Sequence, residues 1–184
     1  MSKIGKQPVI LPETAKVTVE NRAVQIEGEK GKLTFHIPDG IEVVKKDNQL
    51  LVSRLRNDRK TRALHGTIRQ LLANAVTGVQ KEWEKKLQIV GTGYSAVLQG
   101  EKLVLSVGFS HEVTITPLPG IHFEVEKDVI AVKGVDKSLV GRQAAEIRAV
   151  RPPDAYKGKG IRYLDEEIKL KPGKAAKTGE GAAK

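Results

Sequence analysis

Cysteine is absent from this chain of 184 residues, and its absence excludes disulfide bonds and thiolate metal sites. The sequence also lacks any run of about 18 uncharged apolar residues, so we expect no membrane-spanning helix. The first residues, Met-Ser-Lys-Ile-Gly-Lys-Gln-Pro, lack the apolar stretch of a signal peptide. These absences together predict a cytoplasmic protein that makes no contact with a membrane.

Acidic residues are also in deficit. The chain has 32 Lys and Arg residues against 22 Asp and Glu residues, which gives a formal net charge of +10. Such an excess favours a polyanionic partner, because cations that neutralise phosphates release condensed counterions. Aromatic residues make up only 4% of the sequence, which is low for a protein that reads many single-stranded bases by stacking. Contacts with the phosphates and the shape of folded, double-helical RNA fit this composition better.

The positive charge is concentrated in residues 151–163, which read Arg-Pro-Pro-Asp-Ala-Tyr-Lys-Gly-Lys-Gly-Ile-Arg-Tyr. The two prolines exclude a helix at the start of this segment, because neither ring can donate a backbone hydrogen bond. The glycines let the backbone lie close against a partner, and the lysines beside them can meet consecutive phosphates. The tyrosines offer flat faces and hydroxyl groups to a ribose or a base. This combination predicts an RNA-contacting segment, and a solvated surface loop is the alternative interpretation.

The sequence repeats itself at a shift of about 80 residues. Residues 22–28 align with residues 102–108, and Gly40-Ile41 aligns with Gly120-Ile121. Identities are few, but the hydrophobic pattern and the glycines stay in phase. The pattern therefore predicts an internal duplication.

Alternation of apolar and polar residues predicts several short strands in each copy, each set followed by one helix. In the first copy, Asn57 or Asp58 can cap the helix and Gly78 is predicted to end it. In the second copy, Asp136 can cap a helix over residues 137–150. The predicted strands are residues 16–20, 23–27, 32–37, 41–45 and 50–54 in the first copy, and 87–90, 95–99, 103–107, 112–116, 122–126 and 130–133 in the second.

These elements predict an α+β fold with two tandem duplicated domains, each a mostly antiparallel sheet with one helix packed on one face. We place the domains at residues 1–81 and 82–171. Residues 172–184 lack any large apolar side chain, so they are predicted to form a basic, flexible tail.

Patterns associated with catalysis are weak. Residues 91–96, Gly-Thr-Gly-Tyr-Ser-Ala, satisfy a dinucleotide-binding pattern, but that site requires a helix at the loop and a strand is predicted there instead. The four histidines lie singly in the sequence, and we expect His36 and His122 to be partly buried structural residues. No nucleophile and base can be paired. We therefore predict a protein that is not an enzyme and has no cofactor, metal site or small-molecule substrate.

The segment Pro153-Asp-Ala-Tyr-Lys-Gly-Lys-Gly-Ile161 resembles the signature of the sixth protein of the large ribosomal subunit, in its bacterial form. Ile4-Gly-Lys-Gln-Pro8 and Gly91-Thr-Gly-Tyr94 also resemble bacterial members. The resemblance covers essentially the whole chain. It implies two similar domains, of which the second is the main binder of large-subunit (23S) rRNA. It also implies a place beside other large-subunit proteins near the translation-factor-binding side, close to the sarcin–ricin loop and the stalk base, without self-association.

The candidate RNA-binding residues come from the basic segment, the 91–94 loop, the outer side of the second helix and the lysines near the C-terminus. A basic scaffold or assembly protein that acts mainly through protein contacts stays open as an alternative, as does a nucleotide-dependent enzyme built on residues 91–96. The candidate residues are Gly91, Gly93, Tyr94, Arg142, Arg148, Arg151, Tyr156, Lys157, Gly158, Lys159, Gly160, Arg162, Tyr163, Lys169, Lys171 and Lys174.

Overall fold

The computed structural model describes residues 3–20 and 22–173, and within them the chain forms thirteen strands and two helices. The first half contains six short strands and a long helix. Its elements are β1 (Val9–Ile10), β2 (Lys16–Glu20), β3 (Ala23–Gly28), β4 (Gly31–His36), β5 (Ile41–Lys46), β6 (Gln49–Arg54) and α1 (Arg59–Gln80).

The second half repeats this order and then adds one strand. Its elements are β7 (Trp83–Val90), β8 (Ser95–Gln99), β9 (Lys102–Ser106), β10 (Val113–Ile115), β11 (Ile121–Glu126), β12 (Val129–Gly134), α2 (Lys137–Val150) and β13 (Gly160–Tyr163). The strand order confirms the duplication: β2-β3-β4 corresponds to β8-β9-β10, and β1-β6-β5 corresponds to β7-β12-β11. All paired strands are antiparallel. The chain is therefore an α+β protein of two tandem duplicated units.

Each unit has its own hydrophobic core. Alternating residues of the strands point inwards, and the apolar stripe of the helix covers them. The first core includes the fully buried Ile26, Leu50 and Leu72, and the second includes the fully buried Leu87 and Ile147. Helix α2 buries an apolar face that consists of Val140, Ala144 and Ile147.

The sequence offers Asn57 and Asp58 as capping residues of helix α1, and the structure decides between them. Asp58, rather than Asn57, is the N-cap: its carboxylate accepts a hydrogen bond of 2.6 Å from the Thr61 backbone N–H, which lowers the pKa of Asp58. Thr61 and His65 are buried in this helix, and the half-buried Leu64 and Ile68 pack against the first core. The two polar side chains can be buried because the hydroxyl and the imidazole both find backbone carbonyl acceptors.

The prediction that Gly78 ends α1 is wrong. The helix continues to Gln80, and Gly78 is buried at the boundary between the two units. A Cβ atom at this position would collide with the Val135 carbonyl oxygen and would lie 2.9 Å from Trp83 Nε1. The Trp83 indole donates a hydrogen bond of 3.1 Å to the Asn74 carbonyl oxygen of α1. Gly78 therefore allows close packing between the units.

The prediction for the histidines is wrong as well. His36 and His122 are both exposed on strand faces that point away from the cores. The buried histidine is His65, whose Nε2 donates to the Val52 carbonyl oxygen at 2.9 Å. Alternation in β4 and β11 places each exposed imidazole between inward-facing apolar neighbours. Neither helix in the described residues is long and apolar enough to cross a membrane.

Candidate nucleic-acid interface

The basic segment divides into a loop and a strand. Residues 151–159, called here the basic loop, follow α2, and the next four residues form β13. This strand, which was not predicted, pairs with β7 in the register Gly160 to Val90 and Tyr163 to Leu87. Ile161 between them is fully buried in the second core. The basic loop is therefore fixed at both ends, by a helix and by a sheet.

Asp154 organises the basic loop through three hydrogen bonds. Its backbone N–H donates to the Lys159 carbonyl oxygen at 2.8 Å, and its own carbonyl oxygen accepts from the Gly158 N–H at 2.9 Å. Its carboxylate accepts from the Lys157 N–H at 3.0 Å. Because these bonds use backbone groups, the side chains of Lys157 and Lys159 remain exposed. The loop thus holds two cations outwards on a backbone of defined shape.

The two glycines of the segment have different surroundings. Gly158 has a φ of +69°, a left-handed conformation that favours glycine, and a Cβ there would lie 3.5 Å from the Leu170 side chain. Gly160 has a φ of +141° and is buried, and its Cβ would lie 2.6 Å from the Pro152 carbonyl oxygen. The close approach at Gly160 is therefore made by the protein's own backbone.

The 91–94 loop lies beside the basic loop, so two segments that were predicted separately to contact RNA are neighbours. Lys159 Nζ donates to Thr92 Oγ1 at 3.3 Å, which joins the two loops. The Tyr94 ring packs over Gly91, where a Cβ would come within 2.6 Å of the ring. Tyr94, Arg151, Pro153 and Lys159 are among the residues that line an open cleft of about 490 Å³ between the loops. Gly93 is exposed at the tip of its loop.

Three of the candidate cations are occupied by contacts within the protein. Arg148 forms a two-point ion pair with Glu166, with distances of 2.9 Å from Nε and 2.5 Å from Nη2. This pair lowers the pKa of Glu166 and raises the pKa of Arg148. Arg162 donates twice to Gln88 Oε1, and Arg142 pairs with Glu146 on the surface of α2. The guanidinium of Arg148 also lies 5.7 Å from the ring centroid of the half-buried Tyr163.

The chain after β13 returns towards the basic loop. The Lys171 backbone N–H donates to the Ala155 carbonyl oxygen at 2.8 Å, and the side chains of Lys169 and Lys171 are exposed. Tyr156, also in the basic loop, is 60% exposed and available to a partner. Lys174 and the rest of the predicted tail from residue 174 lie outside the described residues.

Phe109 and His111 belong to this region, although they are not among the residues predicted from the sequence. Phe109 is 42% exposed, and its ring stacks on that of His111 with centroids 5.9 Å apart and an interplanar angle of 15°. The guanidinium carbon of Arg151 lies 5.2 Å from the Phe109 centroid. The available signal was a phenylalanine between Gly108 and Ser110, in a turn where no alternating pattern demands an apolar residue.

The model of the ribosomal protein L6 family matches this chain in two segments, residues 11–82 and 90–164. Together these segments cover well over half of the sequence. This chain belongs to the ribosomal protein L6 family. Each segment covers most of one structural unit, although the first begins after β1 and the second begins at the last residue of β7.

Relatives from several organisms match over almost their full length. The large ribosomal subunit protein uL6 of Syntrophomonas wolfei is 51% identical over 176 residues, which cover 95% of this chain and 98% of the relative. The protein of the same name from a Synechococcus strain is 49% identical over 178 residues, 96% of this chain and 98% of the relative. The large ribosomal subunit protein uL6c of Cyanophora paradoxa is 48% identical over 178 residues, 96% and 99% of the two chains.

The dinucleotide pattern at residues 91–96 does not form a nucleotide site. Strand β8 follows the loop directly, so no helix N-terminus points at a pyrophosphate from this position. Within residues 3–20 and 22–173, no group of three or more His, Asp or Glu side chains could hold a metal ion. The side chains that the candidate site exposes include the cations Lys157 and Lys159 and the rings of Tyr156 and Phe109.

Proposed function

We propose that this chain is a structural component of the large ribosomal subunit, and that it binds folded large-subunit rRNA mainly through residues 82–171. The observation that carries the proposal is the pair of exposed lysines, Lys157 and Lys159, held outwards by a hydrogen-bonded loop beside the cleft at Tyr94. The separate cores support the proposed boundary between residues 1–81 and 82–171.

Pre-ordering of the basic loop explains why it suits phosphate binding. A cation on a fixed backbone loses less conformational entropy on binding than one on a mobile chain. Lys157, Lys159 and Arg151 act as the phosphate contacts in this proposal, with Tyr156 and the 91–94 loop beside them. Arg148 and Arg162 hold β13 in place instead, because their guanidinium groups already donate hydrogen bonds to Glu166 and Gln88.

The place of the chain in the subunit is proposed from family membership alone. Members of the L6 family that match this chain are named as large ribosomal subunit proteins. The resemblance supports a position near the translation-factor-binding region, with other large-subunit proteins as neighbours. The proposed role is to hold rRNA structure, without a chemical step.

Removal of both loop lysines tests the proposal. The Lys157→Ala, Lys159→Ala double variant should bind 23S rRNA more weakly, and the slope of log affinity against log salt should fall by about one unit for each phosphate that is no longer neutralised. Filter binding of the full chain at several salt concentrations measures both quantities.

A matched control removes the same charge from the first unit. Lys45 and Lys46 are exposed on β5, so their double alanine variant has the same net charge as the test variant. Its salt slope should stay at the wild-type value. An equal decrease in both variants would mean that binding responds only to net charge, and the proposed site would be wrong.

A second candidate function, contact with a neighbouring protein, is favoured by one face of the first unit. Strand register places Val44 beside Leu51 on the side of the β1-β6-β5 sheet away from the core, and Ile10 lies on the same side. Ile10 is 71% exposed and Val44 is 39% exposed. Adjacent apolar side chains exposed on a sheet face are typical of protein interfaces.

Polar replacement tests this contact. The Ile10→Ser, Val44→Ser double variant should lose about tenfold in association with a large-subunit particle that lacks the protein, which corresponds to about 1.4 kcal/mol. Its affinity for isolated 23S rRNA should not change. Val97→Ser removes an apolar side chain of similar exposure, 54%, from the second unit and is the control. Unchanged association of the double variant would exclude this face as an interface.

A further inference from the structure

The Phe109–His111 stack lies at the protein surface. The ring of Phe109 is 42% exposed, and in the described part of the chain it is not among the side chains that pack against either core. An aromatic ring contributes to stability chiefly through the apolar area that it buries. A ring of this exposure in a Gly-Phe-Ser turn therefore serves something other than core packing.

The turn that carries these rings is nevertheless fixed in place. Val107, just before it, is fully buried in the second core. Gly108 lies against Tyr94, where a Cβ would come within 3.1 Å of the ring. The rings are thus held at a defined position beside the cleft by their own neighbours in sequence.

Arg151 connects the stack to the cleft. Its guanidinium lies 5.2 Å from the Phe109 centroid, and the same residue lines the cleft with Tyr94 and Lys159. A guanidinium on an aromatic ring keeps donors free at its edge, so it can still bind a phosphate oxygen. A planar apolar surface and a phosphate-binding group therefore lie side by side.

We propose that Phe109 and His111 form a stacking site for one unpaired nucleobase of the RNA bound at the cleft. The proposal rests on the proposed function and adds a base contact to it. Every base has a flat π face, so such a site accepts a base from a bulge, a loop or a helix end with little dependence on its identity. The low aromatic content, 4%, agrees with stacking at a single place on an RNA otherwise bound through its phosphates.

RNA is favoured over an apolar protein surface by the surrounding charge. Lys157, Lys159 and Arg151 all belong to the adjacent basic loop, and burying them under a protein partner would require compensating acids. A single nucleotide provides both a base that can stack on Phe109 and His111 and a phosphate that Arg151 can bind.

The substitution Phe109→Leu tests the stack, because it keeps an apolar side chain and removes the aromatic plane. Its affinity for 23S rRNA should fall roughly tenfold, since stacking of one base on an aromatic ring contributes about 1–3 kcal/mol. The Phe109→Tyr variant keeps the plane and should bind like wild type. The melting temperature should not change in either variant, because the ring lies outside the cores.

Chemical probing of the bound 23S rRNA provides the direct readout. With wild-type protein, an unpaired base should be protected from base-specific reagents, and with Phe109→Leu that base alone should become reactive while backbone protection persists. If base reactivity is the same in both complexes, the stacking site is wrong although the proposed function stands. If wild-type protein protects no 23S rRNA backbone, the proposed function itself fails.

Two further outcomes would also overturn the stacking site. Equal loss of base protection with Phe109→Tyr and Phe109→Leu would show that the aromatic plane is not the cause. Unchanged 23S rRNA binding together with poorer association with the large-subunit particle would show that Phe109 contacts a protein.

Discussion

The two units of this protein share a strand order and a capped helix but differ in the chain segment after the helix. After α1, the chain passes through Lys81 and Glu82 directly into β7 of the second unit. After α2, it forms the basic loop and then β13, which adds a fourth strand beside β7. Among the described residues, β1 has no such additional neighbour on its sheet. The proposed RNA-binding segment is therefore an addition to the duplicated unit, outside the elements that the two copies share.

The outer faces of the corresponding sheets differ as well. In the first unit this face presents Ile10 and Val44 to solvent. In the second unit it carries a set of ion pairs, in which Lys133 lies 2.5 Å from Glu124 and 3.9 Å from Glu84. Charged groups on a sheet face oppose association with apolar surfaces. The two copies of the fold therefore present outer surfaces of different chemistry.

The largest expected effect comes from removing the feature that distinguishes the second unit. In Gly160→Ala the new methyl group would collide with the Pro152 carbonyl oxygen, 2.6 Å away, in a backbone conformation that strongly favours glycine. We expect a loss of about 3 kcal/mol in the free energy of unfolding, since strain and overpacking each cost about 1–3 kcal/mol. Denaturant unfolding of the full chain measures it, and affinity for 23S rRNA should fall in the same variant.

Gly141→Ala is the matched control for this substitution. Gly141 is exposed in α2, and in the described part of the chain no residue outside its own helix lies within 4 Å of where a Cβ would be. The change should stabilise the protein by about 0.5–1 kcal/mol through helix propensity and leave RNA affinity unchanged. If Gly160→Ala has wild-type stability, β13 tolerates displacement from the Pro152 backbone. The close packing at Gly160 would then not explain how the second unit differs from the first.

Local patterns were sufficient to predict most of the fold. Strands β2 and β8 and helix α2 have the predicted boundaries. The alternation of a strand and the Asp cap of a helix can each be recognised from a few neighbouring residues. The features that were not predicted depend on residues from other parts of the sequence. Strand β13 forms against β7, far earlier in the chain, and Gly78 is set by packing between the units. Neither relationship leaves a local pattern.

The two segments of the candidate site were recognisable in the sequence, but the contacts that their side chains make within the protein were not. The 91–94 loop and the basic segment each stood out in the sequence by their glycines, and the fold brings them together. Arg162 and Arg148 resembled free cations because their partners, Gln88 and Glu166, lie on other elements. A single charged residue in a sequence cannot show whether it binds a ligand or its own protein. The contacts of the remaining candidates with RNA stay predictions.

A smaller effect is expected at the Arg148–Glu166 pair, which ties the chain after β13 to α2. Glu166 also accepts a hydrogen bond of 3.1 Å from the backbone N–H of Tyr163, the last residue of β13, so its carboxylate stabilises the end of this strand. In Glu166→Gln we expect a loss of about 1 kcal/mol at neutral pH, the scale of a partly exposed charged hydrogen-bonded pair. RNA affinity should change little, because the basic loop keeps its own hydrogen bonds.

The pH dependence of this variant follows from the ion pair. Hydrogen bonding to Arg148 is the main cause of the lowered pKa of Glu166, so the contribution of the pair is complete above the ordinary glutamate pKa, about 4.3. It is lost as the pH falls further, through the pKa of Glu166 in the folded protein. The difference in the free energy of unfolding between wild type and Glu166→Gln should therefore be constant near neutral pH. It should disappear in acid. Glu167→Gln makes the same charge change at an exposed neighbour and should show no difference at either pH. A gap that persisted in acid would mean that the Glu166 side chain stabilises β13 through packing, with the Arg148 ion pair contributing nothing.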